Sequence, residues 1–161
     1  MWAFSFTSPP YRTGLLPWWN KNTLFERSCR IPLIICAPGT KGGQICRSLV
    51  ELADIYPTVA DYCGVRSPAG LAGLRSLLED PSLPGKKQAY TLVTRGAKHG
   101  QTVRTDRWRC PLWSDGTVEL YDEQADPEET SNLAADAQHA ATVQELTALL
   151  RALPKPKPTS P

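Results

Sequence analysis

Arg95, Lys98 and His99 surround an expected turn over residues 96–100 and bring two cations and one titrating ring to a short stretch of chain. Guanidinium and ammonium groups offer N–H donors to anions, and imidazole exchanges a proton near neutral pH. A plain exposed hairpin is the competing reading. A second concentration of chemistry is acidic: Asp122, Glu123, Asp126, Glu128 and Glu129. These carboxylates lack the loop spacing of a calcium hand, so a solvated turn before the last helix is expected there, and no metal site. Cys29, Cys36, Cys46, Cys63 and Cys110 lack the close pairs of structural zinc sites, and an odd number cannot all be bridged within one chain. They read as small buried hydrophobes. His139 stands among alanines where the last helix begins, a surface position. Lys21 follows Trp18 and Trp19. By residue type alone it is a solvated lysine, and the tryptophans are packing groups before they are walls of a sugar pocket.

Those side chains need a scaffold, and the composition supplies one. With 161 residues, 41% of them hydrophobic and 21% charged, the chain can bury one ordinary core. Its 18 basic and 16 acidic residues are interspersed, so no footprint for nucleic acid or a membrane surface stands out. No apolar run approaches the ~18 residues of a membrane span. No signal peptide is visible at the start, where a basic region and a small-residue cleavage site are both missing.

Trp2, Phe4 and Phe6 alternate with small residues up to Pro9-Pro10, which reads as a strand entered in its middle. The apolar run of residues 31–37, closed by Pro38-Gly39, is expected to be a strand buried on both faces of a sheet. Ser48 with Glu51 makes a capping box for a helix that runs to Gly64, with a kink or restart at Pro57. Between the breakers of residues 67–85 only a short helical turn at 74–79 fits. Strands are expected at 89–94, 101–105, 107–113 and 117–121, with a turn at Ser114-Asp115-Gly116. Such short connections favour an antiparallel sheet. Val143, Leu146, Leu149, Leu150 and Leu153 form the stripe of a final helix that packs on one face of that sheet. Residues 154–158 alternate Pro and Lys as an extended, solvated tail.

The run Trp19-Asn20-Lys21-Asn22-Thr23-Leu24-Phe25-Glu26-Arg27-Ser28-Cys29-Arg30-Ile31-Pro32-Leu33-Ile34-Ile35 resembles the W-x-K-x-T-L-F-E-x-S-x-R-V-P-L-I-I segment of sulfatases, especially those similar to iduronate-2-sulfatase. Further matches follow in order. They are Val50 to Thr58 with Cys63-Gly64, Val103-Arg104-Thr105-Asp106-Arg107-Trp108-Arg109, Glu119-Leu120-Tyr121-Asp122, Asp126-Pro127-Glu128-Glu129 and Asn132-Leu133-Ala134. The resemblance implies an α/β fold: the C-terminal part of an alkaline-phosphatase-like sulfatase, ending in a small antiparallel sheet with a packed C-terminal helix. Residues 1–85 would close the large α/β domain, 86–153 would form the sheet and helix, and 154–161 the tail.

By the same resemblance the intact enzyme hydrolyses sulfate esters with a formylglycine nucleophile and calcium. Its partner is a sulfated small molecule or glycan, and family members are mostly periplasmic, extracellular or lysosomal. Lys21 matches the family's sulfate-contacting lysine, where a compact charge with three donors suits a sulfuryl group. Arg95, Lys98 and His99 could reach a sulfated sugar if their turn folds over the pocket. The formylglycine motif C/S-x-P-S/A-R is absent, and Pro9-Pro10 stand where the family has Asp-His or Asp-Asn. Leu15 follows Gly14 where G-E-H is common, and residues 73–78 are shorter than the family's segment. The chain alone is therefore expected to lack turnover and to hold no cofactor. A non-catalytic module that binds sulfated glycans, or docks onto a missing N-terminal half, is the alternative.

Overall fold

Alternating side chains from residue 89 onward build a four-stranded antiparallel meander, in the order β3 (Ala89–Arg95), β4 (Lys98–Arg104), β5 (Trp108–Trp113) and β6 (Tyr121–Asp122). The computed structural model describes residues 3–5, 23–67, 70–71, 73–95 and 97–154. Tyr90 pairs with Val103, Val103 with Cys110, and Arg109 with Tyr121, so the register is continuous across all four strands. The first hairpin is tighter than the sequence reading, because Lys98 and His99 already pair with Arg95 and Thr94.

Helix α4 (Ala140–Ala152) covers one face of this sheet. Its expected stripe is the buried one: Leu146 and Leu150 pack with Val103, Cys110 and Leu120, while Val143, Leu149 and Leu153 line the margin. Asp136 begins the helical segment by accepting a hydrogen bond from the Gln138 amide at 2.9 Å. Asn132 Oδ1 accepts from the amides of Leu120 and Ala134, at 3.0 and 2.9 Å, which ties the end of the sheet to the approach of α4. His139 is not the plain surface residue expected; it is half-buried, with its ring 5.2 Å from that of Trp108.

Upstream, β1 (Ala3–Ser5) and β2 (Ile34–Cys36) form an antiparallel pair, with Phe4 opposite Ile35. The expectation that β2 is buried on both faces is corrected: Ile34 is 63% exposed. No described element covers β2, and a run of apolar residues shows only that a strand can be buried, not that a cover is at hand.

The capping box also moves. Glu51 and Asp54, not Ser48 and Glu51, form it: Glu51 N donates to Asp54 Oδ2 at 2.8 Å at the head of a 3-10 turn (Leu52–Asp54) that runs into α2 (Ile55–Tyr62). Lys86 forms ion pairs with both carboxylates, and Tyr90 N donates to Glu51 Oε1 at 2.8 Å, so contacts from beyond residue 85 select this cap. Pro57 sits in the first turn of α2, where its missing N–H is not needed. Gly64, at φ 68°, ends the helix in a Schellman turn, with Val65 N bonded to Ala60 O at 2.8 Å. Thr58 Oγ1 accepts from Leu74 N at 2.7 Å and anchors α3 (Arg75–Glu79) beside α2.

Candidate functional site

The sheet's second face is not left to water. Alternation places Gly100, Thr102 and Arg104 of β4 on the same side as their partners Trp113, Pro111 and Arg109 of β5, opposite the face that α4 covers. Thr102 is 1% exposed and Arg109 2%. Residues 23–29, the segment that follows Lys21, lie against this face. Gly100 makes room for them: a Cβ there would stand 2.6 Å from Trp113 Cε3 and 2.8 Å from Leu24 Cδ1. Gly100→Ala is expected to lower stability by about 1–3 kcal/mol through overpacking, read by chemical denaturation. Phe25 packs against Tyr121 with ring centroids 5.8 Å apart.

Around Arg109 the contact becomes ionic. Its Nη1 donates to the Leu24 carbonyl at 3.2 Å, its Nη2 pairs with Glu26 Oε2, and its Nε donates to Glu123 Oε1 at 3.0 Å, with Glu129 Oε1 at 3.1 Å. Arg104 Nε reaches Glu26 Oε2 at 3.3 Å and Glu123 Oε1 at 3.6 Å. The Glu26 amide, at the start of α1 (Glu26–Cys29), donates to Glu129 Oε2 at 2.7 Å. The loop is closed locally by Thr23 Oγ1 bonded to Ser28 Oγ and by the Cys29 amide on Phe25 O at 3.0 Å. Arg27 and Glu128 pair at the exposed rim.

The acidic stretch 122–129 is thus not the solvated turn expected from sequence. Glu123 and Glu129 are buried because Arg104 and Arg109 supply countercharge on the facing strands. Burial pushes the Glu129 carboxyl up to about 8 against the pull of Arg109, and burial, reinforced by Glu26, also raises Glu123. Asp122 behaves oppositely: the Arg107 guanidinium grips its Oδ2 at 2.7 and 2.9 Å and holds its carboxyl below the usual range.

Lys21, Trp18, Trp19 and the Pro9-Pro10 segment lie outside the described residues. Lys98 pairs with Asp115 at 3.0 Å in an exposed position. Its register places it on the face that holds residues 23–29, opposite Arg95, while His99 belongs to the other face. The His99 amide donates to Ser114 Oγ at 3.2 Å, within the hairpin framework. Among the described residues no group of acidic, histidine or cysteine side chains is arranged to hold a metal. Glu26, Glu123 and Glu129 converge on a guanidinium rather than on a shared point, so they do not fit calcium. Glu26, Arg104, Arg109 and Glu129 fall within the matched stretches of sequence and Glu123 just beyond one, but nothing in spacing alone distinguished Arg109 from a surface arginine.

A meander carrying one helix, preceded by strand and helix segments, is the C-terminal part of the alkaline-phosphatase-like sulfatase fold. The chain belongs to this family: the model described as N-sulphoglucosamine sulphohydrolase, C-terminal, matches residues 14–155. A sulfatase of Formosa agariphila is 30% identical over 140 residues, which cover 87% of this chain and 27% of that protein. Arylsulfatase K of Gallus gallus is 33% identical over 150 residues, 83% of this chain and 27% of the relative. A solved structure in complex with its substrate D-glucosamine-2-N,6-O-disulfate superposes with a TM-score of 0.76 at 28% identity, covering 83% of this chain and 30% of that one. The phosphonate monoester hydrolase of Agrobacterium radiobacter gives 0.66 at 25% identity, with 76% and 28% covered. The chain therefore spans less than a third of the length of these relatives.

Proposed function

We propose that this chain is the C-terminal portion of a hydrolase of sulfate esters, acting on sulfated carbohydrates, and that by itself it has no turnover. In the intact enzyme formylglycine and calcium would come from outside this chain. Residues 1–85 close the large domain and residues 86–153 form the C-terminal subdomain of antiparallel sheet and helix, with 154–161 as a tail. The role of this part is to present Lys21 to the sulfate, with Arg95 and Lys98 as outer contacts to a charged sugar and His99 less directly placed.

The observation that carries this reading is the anchoring of residues 23–26 on the sheet. Lys21 precedes Thr23 by two residues, a reach of about 7 Å of extended chain, so the anchor limits where its ammonium can lie. Lys98 shares that face by register. An exposed lysine already paired with Asp115 can exchange that partner for a sulfate at little cost.

The test is twofold. The purified chain, incubated with a sulfated glucosamine, is expected to release no sulfate above the buffer blank. Binding of a heparin-like oligosaccharide at physiological salt is expected to weaken in Lys21→Ala and, to a smaller degree, in Lys98→Ala. Sulfate release by the pure chain overturns the first part, and binding indifferent to Lys21 overturns the second.

A docking role is favoured by a separate observation. Leu52 and Tyr56, each 58% exposed, lie four residues apart on one side of the 3-10 turn and α2, and Ile34 stands open on β2. Such side chains suit burial against the N-terminal portion of a sulfatase. Co-expression with that portion of a relative should yield a complex stable to size exclusion, and two separate peaks would argue against it.

A further inference from the structure

The joint around Arg109 holds an imbalance of charge, and it leaves Arg104 Nη1 as well as Glu129 Oε1 without a hydrogen-bond partner. Glu26, Glu123 and Glu129 bring three carboxylates to two guanidiniums, Arg104 and Arg109; Arg109, Glu123 and Glu129 are buried, while Glu26 and Arg104 keep a small exposed margin. Arg109 Nε carries a single hydrogen, yet Glu123 Oε1 and Glu129 Oε1 both approach it, at 3.0 and 3.1 Å. Glu123 takes that hydrogen bond. Glu129 Oε1 is buried and accepts none. Sharing that one N–H at 3.0 and 3.1 Å sets the carboxyls of Glu123 and Glu129 side by side. A proton on Glu129 Oε1 turns the orphaned acceptor into a donor toward Glu123 and brings the cluster to neutrality. Glu129 reaches this place through a left-handed backbone, φ 53°, which a side chain adopts only where its surroundings hold it there.

We propose that the joint is a proton-dependent latch: it closes residues 23–29 onto the sheet with one proton held between Glu123 and Glu129, and it loosens when that proton passes to water. Among the described residues, the charged and titrating groups around Glu129 come from several packed elements. Glu26 and Cys29 come from α1, Arg104 from β4, Arg109 from β5, Tyr121 and Glu123 from the end of β6, and Asp126 from its own turn. Since the two acids interact strongly, the proton belongs to the pair.

The direction with pH follows from linkage. The folded joint holds the proton up to about 8, whereas a free glutamic acid releases it near 4.5. Between those values the unfolded chain binds fewer protons than the folded one, so stability falls as pH rises and levels off above the folded value. The latch is tightest in mild acid.

The experiment compares chemical unfolding of the full chain and of Glu129→Gln at pH 5, 6, 7 and 8. The glutamine copies the protonated acid, with its amide N–H toward Glu123 and its carbonyl toward the Glu26 amide. The wild-type unfolding constant is expected to rise more steeply with pH than the variant's, by up to about tenfold per pH unit for one proton. Glu123→Gln serves as a second variant and is expected to flatten the slope in the same way. In the unmodified chain, carbon-detected NMR should find one glutamate carboxyl titrating well above its ordinary range. Equal pH slopes in wild type and variants, or glutamates that all ionise near 4.5, overturn the proposal. So does a chain with no cooperative unfolding at any pH, because the joint would then never close. None of these results bears on Lys21 or on sulfate, so the latch can fail while the sulfatase reading stands.

Discussion

Arg109→Met should lower the free energy of unfolding by about 3–5 kcal/mol at pH 7, the cost of removing one partner from a buried ionic contact. The guanidinium touches Leu24 O, Glu26, Glu123 and Glu129, and is 2% exposed. Methionine fills much of the volume but gives no donor, so three carboxylates face one another with only Arg104 beside them. Since small domains are stable by about 5–15 kcal/mol, the variant stands close to unfolding. Urea denaturation followed by tryptophan fluorescence measures the loss. Arg27→Met is the control, because its side chain is 44% exposed and that of its partner Glu128 is 51% exposed. An exposed pair contributes about 1 kcal/mol or less. Equal effects from the two variants would show that the buried network carries no special weight.

Leu150→Ala is expected to cost about 2–5 kcal/mol by leaving a cavity between α4 and the sheet. Leu150 is 1% exposed and packs among Val103, Cys110, Leu120 and Leu146. The cost depends on how far α4 can settle onto β4 and β5, which the hydrogen bonds of Asp136 and Asn132 at its approach restrain. Leu52→Ala, at a position 58% exposed, should move stability by no more than about 0.5 kcal/mol. Melting curves of the pair read the difference directly.

Much of this architecture is written in short-range patterns. The stripe from Val143 to Leu153 faces the core because helical spacing leaves it no other face, and the meander follows from β-branched and aromatic runs separated by turns. What local pattern cannot reveal is which side of a strand a distant segment will cover. Arg109 alternates with Trp108 and Cys110 as an outward-facing residue should, and only the arrival of Leu24 and Glu26 buries it. Glu123 and Glu129 mislead for the same reason. At the cap, Ser48 was the better local candidate, yet Lys86 and Tyr90 draw the boundary to Glu51. The shared segment around Lys21 made the family legible. The positions of its ammonium and of the Pro9-Pro10 replacement lie outside the described residues.

Because both faces of β5 are committed, its tolerance of change depends on the kind of change. A substitution at one position disturbs either the helix side or the ionic side. Inserting a single residue between Trp108 and Arg109 would exchange the two sides for the rest of the strand, sending Arg109 toward Leu146 and Leu150 and Cys110 toward Glu26. Descendants of this sequence can therefore drift one letter at a time within the strand, while gains and losses of length are confined to the loops around it.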